Sequence, residues 1–213
     1  MDIINEDYVS FYTDWFNGRD KAMDFLERCY EVPNGNFIPL RLANKLARVI
    51  IFSDFCMTHK RGNRSVQIFL WMALIESIEY IYFPDKDSQK VDKLSVILCF
   101  FRNYISTEDK DLLLQNLRRS ISDDRFDKTK EINIDIIARI LYSIRNEFAH
   151  GLDFHTSLFS DSNNDVWLET VKLKEFKKDG KEERHYEMSI THQQLRSIII
   201  RSFINLIEEE LLK

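Results

Sequence analysis

Glycine and proline are scarce in this chain. Five Gly and three Pro among 213 residues leave few points where a helix must stop, so long helices are expected. No uncharged apolar run reaches the roughly 18 residues that a membrane-crossing helix needs, and no membrane association is expected. Neither a Gly-rich phosphate loop nor a Gly-x-Ser-x-Gly nucleophile elbow occurs. Cysteine is limited to Cys29, Cys56 and Cys99, an odd number at wide spacing with no close Cys/His pairs. These read as reduced packing residues of a cytoplasmic protein, not as a disulfide framework or zinc ligands; no metal and no cofactor are expected. Positive charge is also in deficit: 30 Lys and Arg face 35 Asp and Glu, for a net charge of −5 and a pI near 5.6. No chain-wide field attracts nucleic acid, so such a substrate would need a local basic patch or a groove between two copies. The opening Met1-Asp2-Ile3-Ile4-Asn5-Glu6-Asp7 is acidic and unlike a signal peptide.

Apolar material is abundant. Hydrophobic residues make up 44% and aromatics 13%, with 16 Phe, enough for a sizeable core and too much for disorder. Residues 5–31 read as one or two short helices. Tyr8, Phe11, Tyr12, Trp15 and Phe16 form an aromatic stripe that is core or a dimer face, and Gly18 interrupts it before Met23, Leu26, Cys29 and Tyr30. Pro33-Asn34-Gly35 marks a turn. Pro39 suits the first turn of a helix reaching about His59, with Leu42, Leu46, Val49, Ile50 and Phe55 inward; Arg61-Gly62-Asn63 closes it.

Residues 64–83 read as one strongly apolar helix containing Glu76 and Glu79. Such a carboxylate either marks the wet face or finds a buried partner; Glu76 is expected to point inward, to Arg145. Residues 88–105 form the next helix. Ser106 or Thr107 caps another, with Leu112, Leu113, Leu117 and Ile121 as its stripe. Residues 122–131 are a charged loop, and Asn133 is placed to cap a helix over 134–150.

After Gly151 the pattern changes. Residues 152–165 are irregular, and alternating residues between 166 and 190 around Lys178-Asp179-Gly180 indicate a β-hairpin. Its Lys, Arg and His residues are interleaved with acids, which fits a solvated arm better than an RNA patch. Thr191-x-x-Gln194 is a capping box that opens a last helix to about Leu212, with Leu195, Ile198, Ile199, Phe203, Leu206 and Ile207 inward. The expected architecture is mostly α: an antiparallel helical bundle with a small β-hairpin inserted before the last helix. Residues 1–62 form an N-terminal helical elaboration and 63–213 the bundle.

The stretch with most chemistry is Ser143-Ile144-Arg145-Asn146-Glu147-Phe148-Ala149-His150-Gly151. It follows the stripe Ile137, Ile140, Leu141, Ile144 and Phe148, and Gly151 stands where a helix commonly stops. Asn146 and His150 are four apart and share a helix face. Arg145 and His150 are five apart, roughly 140° around an ideal helix. They meet only if the last turn loosens or if the partners come from two chains. The bland alternative is that His150 complements the helix dipole and Arg145 lies along apolar surface.

Arg145-Asn146-x-x-x-His150-Gly151 at a helix end, after an Ala73-Leu74-Ile75-Glu76-Ser77 helix in an antiparallel bundle, resembles the HEPN superfamily. That family's signature is Arg, four to six residues, then His, with a polar residue usually after the Arg. The resemblance covers about residues 64–150 and the last helix. It implies a metal-independent endoribonuclease working as a homodimer on RNA, of the kind found in phage defence and toxin–antitoxin systems. Arg145, His150 and Asn146 would be catalytic, with Glu76 holding Arg145. The resemblance leaves a second reading open, a non-catalytic interaction or nucleotide-binding module. An antitoxin or a nucleotidyltransferase is the partner implied.

Overall fold

The computed structural model describes residues 5–32, 37–59, 64–84, 91–119, 132–151, 169–177, 180–188 and 190–212. The turn expected at Pro33-Asn34-Gly35, the closure at Arg61-Gly62-Asn63, the loop 122–131 and the irregular stretch 152–165 lie outside these residues.

The molecule is mostly helical. Asn5 caps α1 (Glu6–Thr13) by accepting from the Asp7 N–H. Gly18 then opens α2 (Arg19–Tyr30) with φ of +140°, which a side chain would strain. The aromatic stripe of α1 is core: Tyr12 is buried and its hydroxyl donates to the Ala43 carbonyl at 2.8 Å, tying α1 to α3 (Ile38–His59). Leu42, Leu46 and Ile50 of α3 face inward as their spacing requires, but Phe55 does not. It is 59% exposed, beside exposed Ile51 and Phe52. The inward face of this turn is taken by Ser53, which accepts from the Trp71 indole N–H at 3.1 Å. Here a small polar residue at the seam leaves room for the buried Trp71, and the larger Phe55 turns outward.

The run 64–83 is not one helix. It divides into α4 (Arg64–Glu76) and a single turn, α5 (Glu79–Tyr82). The break follows from Ser77, whose hydroxyl donates back to the Leu74 carbonyl at 2.6 Å. Its N–H is shared between Ala73 and Leu74, and the Ile78 N–H reaches only Ile75. These tighter bonds end the regular ladder.

The next helix begins later than 88. Asp92 accepts from the Leu94 and Ser95 N–H groups and so starts α6 (Lys93–Asn103). Ser106 caps α7 (Thr107–Arg119) by accepting from Asp109. Asn133 caps α8 (Ile134–Gly151) by accepting from Asp135.

Glu169–Lys177 (β1) and Gly180–Met188 (β2) pair antiparallel, with Glu169 opposite Met188 and Lys177 opposite Gly180. These bounds are narrower than 166–190. Ile190 belongs to the next element, where it is buried beside the reciprocal Thr191–Gln194 capping box of α9 (His192–Leu206). A π-helical turn, Ile207–Leu211, ends the chain's last helix.

The core runs without interruption through both segments on either side of residue 62. Phe25 and Leu46, Trp71 and Met72, Phe100 and Phe101, and Phe203 belong to one buried cluster. Bidentate pairs clamp its rim. Arg196 of α9 holds Asp54 of α3, Arg201 of α9 holds Asp109 of α7, and Arg102 of α6 holds Asp135 of α8. α8 packs mainly on α4 and α6, which brings the end of α4 against its last two turns.

Candidate functional site

Glu76 is the last residue of α4, where the helix dipole is negative and a carboxylate is disfavoured. It is also buried, at 7% exposure. Both facts demand a cation, and α8 supplies it. Arg145 donates from Nη2 to Glu76 Oε2 at 2.8 Å. Its Nε lies 2.8 Å from Oε1, an ion-pair contact off the line of a hydrogen bond. The inward orientation of Glu76 and its pairing with Arg145 are therefore both present. Glu79 has its own partner, Lys93 of α6.

The apolar stripe of α8 sets this up. Ile137, Ile140, Leu141 and Ile144 are buried, so Arg145, one residue on, leaves the helix along the edge of the α4 seam. Phe69 of α4 lies beneath the guanidinium, with Cζ 5.7 Å from the ring centroid, close enough for cation–π attraction. Phe148 in turn packs on Phe69, ring centres 5.0 Å apart. Phe69 and Phe148 therefore form a floor that holds the arginine flat. Phe148 was legible as part of the helix stripe; the role of Phe69 needs the crossing of two helices and has no local sequence signal.

Asn146 continues the chain of contacts. Its Oδ1 accepts from Arg145 Nη1 at 3.1 Å. Because guanidinium only donates, the amide orientation is determined: oxygen toward Arg145, NH2 away from it. Asn146 shares a helix face with His150, one turn on. His150 is exposed and stands in the last turn of α8. The four residues thus form a graded series, from buried carboxylate through half-buried guanidinium and amide to an exposed imidazole.

Of the two ways in which Arg145 and His150 could meet, one is removed. α8 is regular through Gly151, so its last turn does not loosen. Within one chain the two side chains leave the helix roughly 140° apart.

The arrangement has definite chemical capacities. The guanidinium has five N–H groups; two are committed to Glu76 Oε2 and Asn146, and Nε faces Glu76, which leaves two Nη hydrogens for an oxyanion. An imidazole can act as a proton acceptor or donor. No helix among the described residues is long and apolar enough to cross a membrane. Comparison of the chain with protein-family models, with curated proteins and with solved structures finds no match.

Proposed function

We propose that this protein is a metal-independent endoribonuclease of HEPN type that acts as a homodimer on RNA in the cytoplasm. The observation that carries the reading is the Glu76–Arg145–Asn146 series, which leads from a buried anchor at the end of α4 to Asn146, on the helix face that also carries the exposed His150. A packing arginine needs the carboxylate; it does not need the neighbouring amide that it orients, one helical turn before an exposed imidazole.

In this reaction the ribose 2′-OH attacks the adjacent phosphorus and the 5′-oxygen leaves. His150 takes the 2′-OH proton or returns one to the leaving oxygen, both tasks open to an imidazole as general base or acid. The free Nη hydrogens of Arg145 bind the charge that develops on the non-bridging oxygens. Glu76 and Phe69 prevent the guanidinium from swinging away, so its orientation costs nothing at the moment of reaction. The Asn146 amide donates to the phosphate or orients His150. Since α8 turns Arg145 and His150 apart, the working pair comes from two chains facing each other across a cleft. A toxin–antitoxin or phage-defence setting, with an antitoxin or nucleotidyltransferase as partner, fits a nuclease that must be restrained.

The test is RNA cleavage in excess EDTA. Products should carry 2′,3′-cyclic phosphate or 3′-phosphate ends. Arg145→Ala and His150→Ala should each abolish cutting, and mixing the two inactive proteins should restore about a quarter of wild-type activity. That follows because half the dimers are mixed and each has one complete site. No cleavage by wild-type protein, alone or with a partner, overturns the reading. Cleavage without complementation overturns the two-chain site.

A further inference from the structure

A second cluster of cations lies outside this site. Arg41, Lys45 and Arg48 are spaced four and three residues apart on α3, so they share one face. They line a cavity of about 520 Å³, within the usual range for small-molecule sites. Ser77, at the α4 break, and Tyr80 of α5 form the opposite wall.

Several arginines elsewhere among the described residues are paired with acids. Arg19, Arg28, Arg102, Arg145, Arg196 and Arg201 each hold a carboxylate. Among the described residues, Arg41 and Lys45 have no carboxylate within ion-pair distance, and no acid lines the cavity. Arg48 is steadied by a neutral group, donating from Nε to the Tyr8 hydroxyl at 3.2 Å. Partial desolvation, and after it the Arg41 charge, lower Lys45 from the usual lysine value although the residue stays exposed. Like charges four apart weaken a helix, and among the described residues no acid is paired with Arg41 or Lys45 to offset them. A bound anion would supply the missing charge.

The remaining walls indicate what else the ligand carries. Tyr80 is 42% exposed and offers a ring face, Ile38 and Leu42 are apolar, and Asn44 presents a carboxamide. An aromatic face, an amide and three convergent cations suit a planar heterocycle joined to several phosphates.

We infer that the α3 cavity binds a nucleoside polyphosphate, its phosphates on Arg41, Lys45 and Arg48 and its base against Tyr80. The site does not depend on the RNA reading, since it uses none of Glu76, Arg145, Asn146 or His150.

Calorimetric titration of the full chain at low salt with ATP, tripolyphosphate and adenosine tests it. ATP and tripolyphosphate should bind and adenosine should not. Arg41→Ala/Lys45→Ala should weaken both by at least about tenfold; the two side chains are exposed, so an unchanged thermal melt should show that this variant folds. Tyr80→Ala should weaken ATP but not tripolyphosphate. His150→Ala should bind ATP as the wild type does. Absence of ATP binding at about 1 mM, or binding indifferent to the Arg41/Lys45 variant, overturns the inference. So does a short RNA that binds through Arg41 and Lys45 where ATP does not, since the cavity would then belong to an RNA path.

Discussion

Replacing Glu76 by Gln keeps the shape of the side chain and removes the charge that Arg145 faces. The Glu76 side chain is 9% exposed and that of Arg145 21%. Removing one partner of a buried ion pair typically costs about 3–5 kcal/mol, because the other charge is left uncompensated. Two features reduce the figure here. Arg145 retains some access to water, and the amide oxygen of Gln can still accept from Nη2, worth about 1 kcal/mol. The expected loss is about 2–3 kcal/mol. For a chain of this length each kcal/mol moves Tm by about 2–4 °C, so Glu76→Gln should melt about 4–12 °C below wild type. A cycle of Glu76→Leu, Arg145→Met and the double variant should then show coupling of about 2 kcal/mol, measured by denaturant unfolding. The double variant should recover most of the stability, since neither charge remains to be desolvated, yet it should cut no RNA. That combination separates the pair's structural part from its chemical one. A loss under about 0.5 kcal/mol for Glu76→Gln, with coupling near zero, would show that solvent screens the pair as at an open surface and would refute the argument.

Four further outcomes follow from local chemistry. The hydrogen bond from Arg102 lowers the Asp135 carboxyl below its usual range. Its stabilisation is present above the unfolded-state value and lost as pH falls through the folded one. Asp135→Asn should therefore cost under about 1 kcal/mol at pH 7, given the exposure of Arg102, and nothing at strongly acid pH, as read from unfolding midpoints across pH. Burial pushes the Cys29 thiol up to about 12; it should resist iodoacetamide at pH 8 in the native protein and react on unfolding, as peptide mass mapping would show. Thr191→Ala removes one half of the α9 capping box and should cost about 1 kcal/mol, whereas His150→Ala, at an exposed position, should leave the melt within about 0.5 kcal/mol of wild type.

Local chemistry made much of the helical scaffold legible. Asn133, Thr191 and Gln194 act over three residues, so their caps could be read directly. The stripes Ile137–Ile140–Leu141–Ile144 and Leu195–Ile198–Ile199–Phe203 depend only on helical period, and their burial follows. The two misplacements have different origins. The 64–83 run breaks because the Ser77 hydroxyl bonds backwards, a choice between two local conformations that apolar periodicity does not register. Phe55 faces outward because the seam between α3 and α4 is filled by Trp71 and Ser53, which depends on a neighbouring helix.

The site divides along the same line. Arg145, Asn146 and His150 are singled out by residue type and spacing, whereas Glu76 could have marked the wet face or turned inward, and only packing against α8 made it Arg145's partner. That α8 stays regular through Gly151, that Phe69 lies under the guanidinium, and that Asn146 turns its oxygen to Arg145 were decided only when α4 and α8 packed together. The spacing of Arg41, Lys45 and Arg48 likewise puts three cations on one face. Only the tertiary structure brings Ser77 and Tyr80 across from them and, among the described residues, no carboxylate to meet them. Sequence determines what each segment can present. Packing decides which charges are answered and which are left facing a cavity, because electrostatic partners are chosen by distance in space.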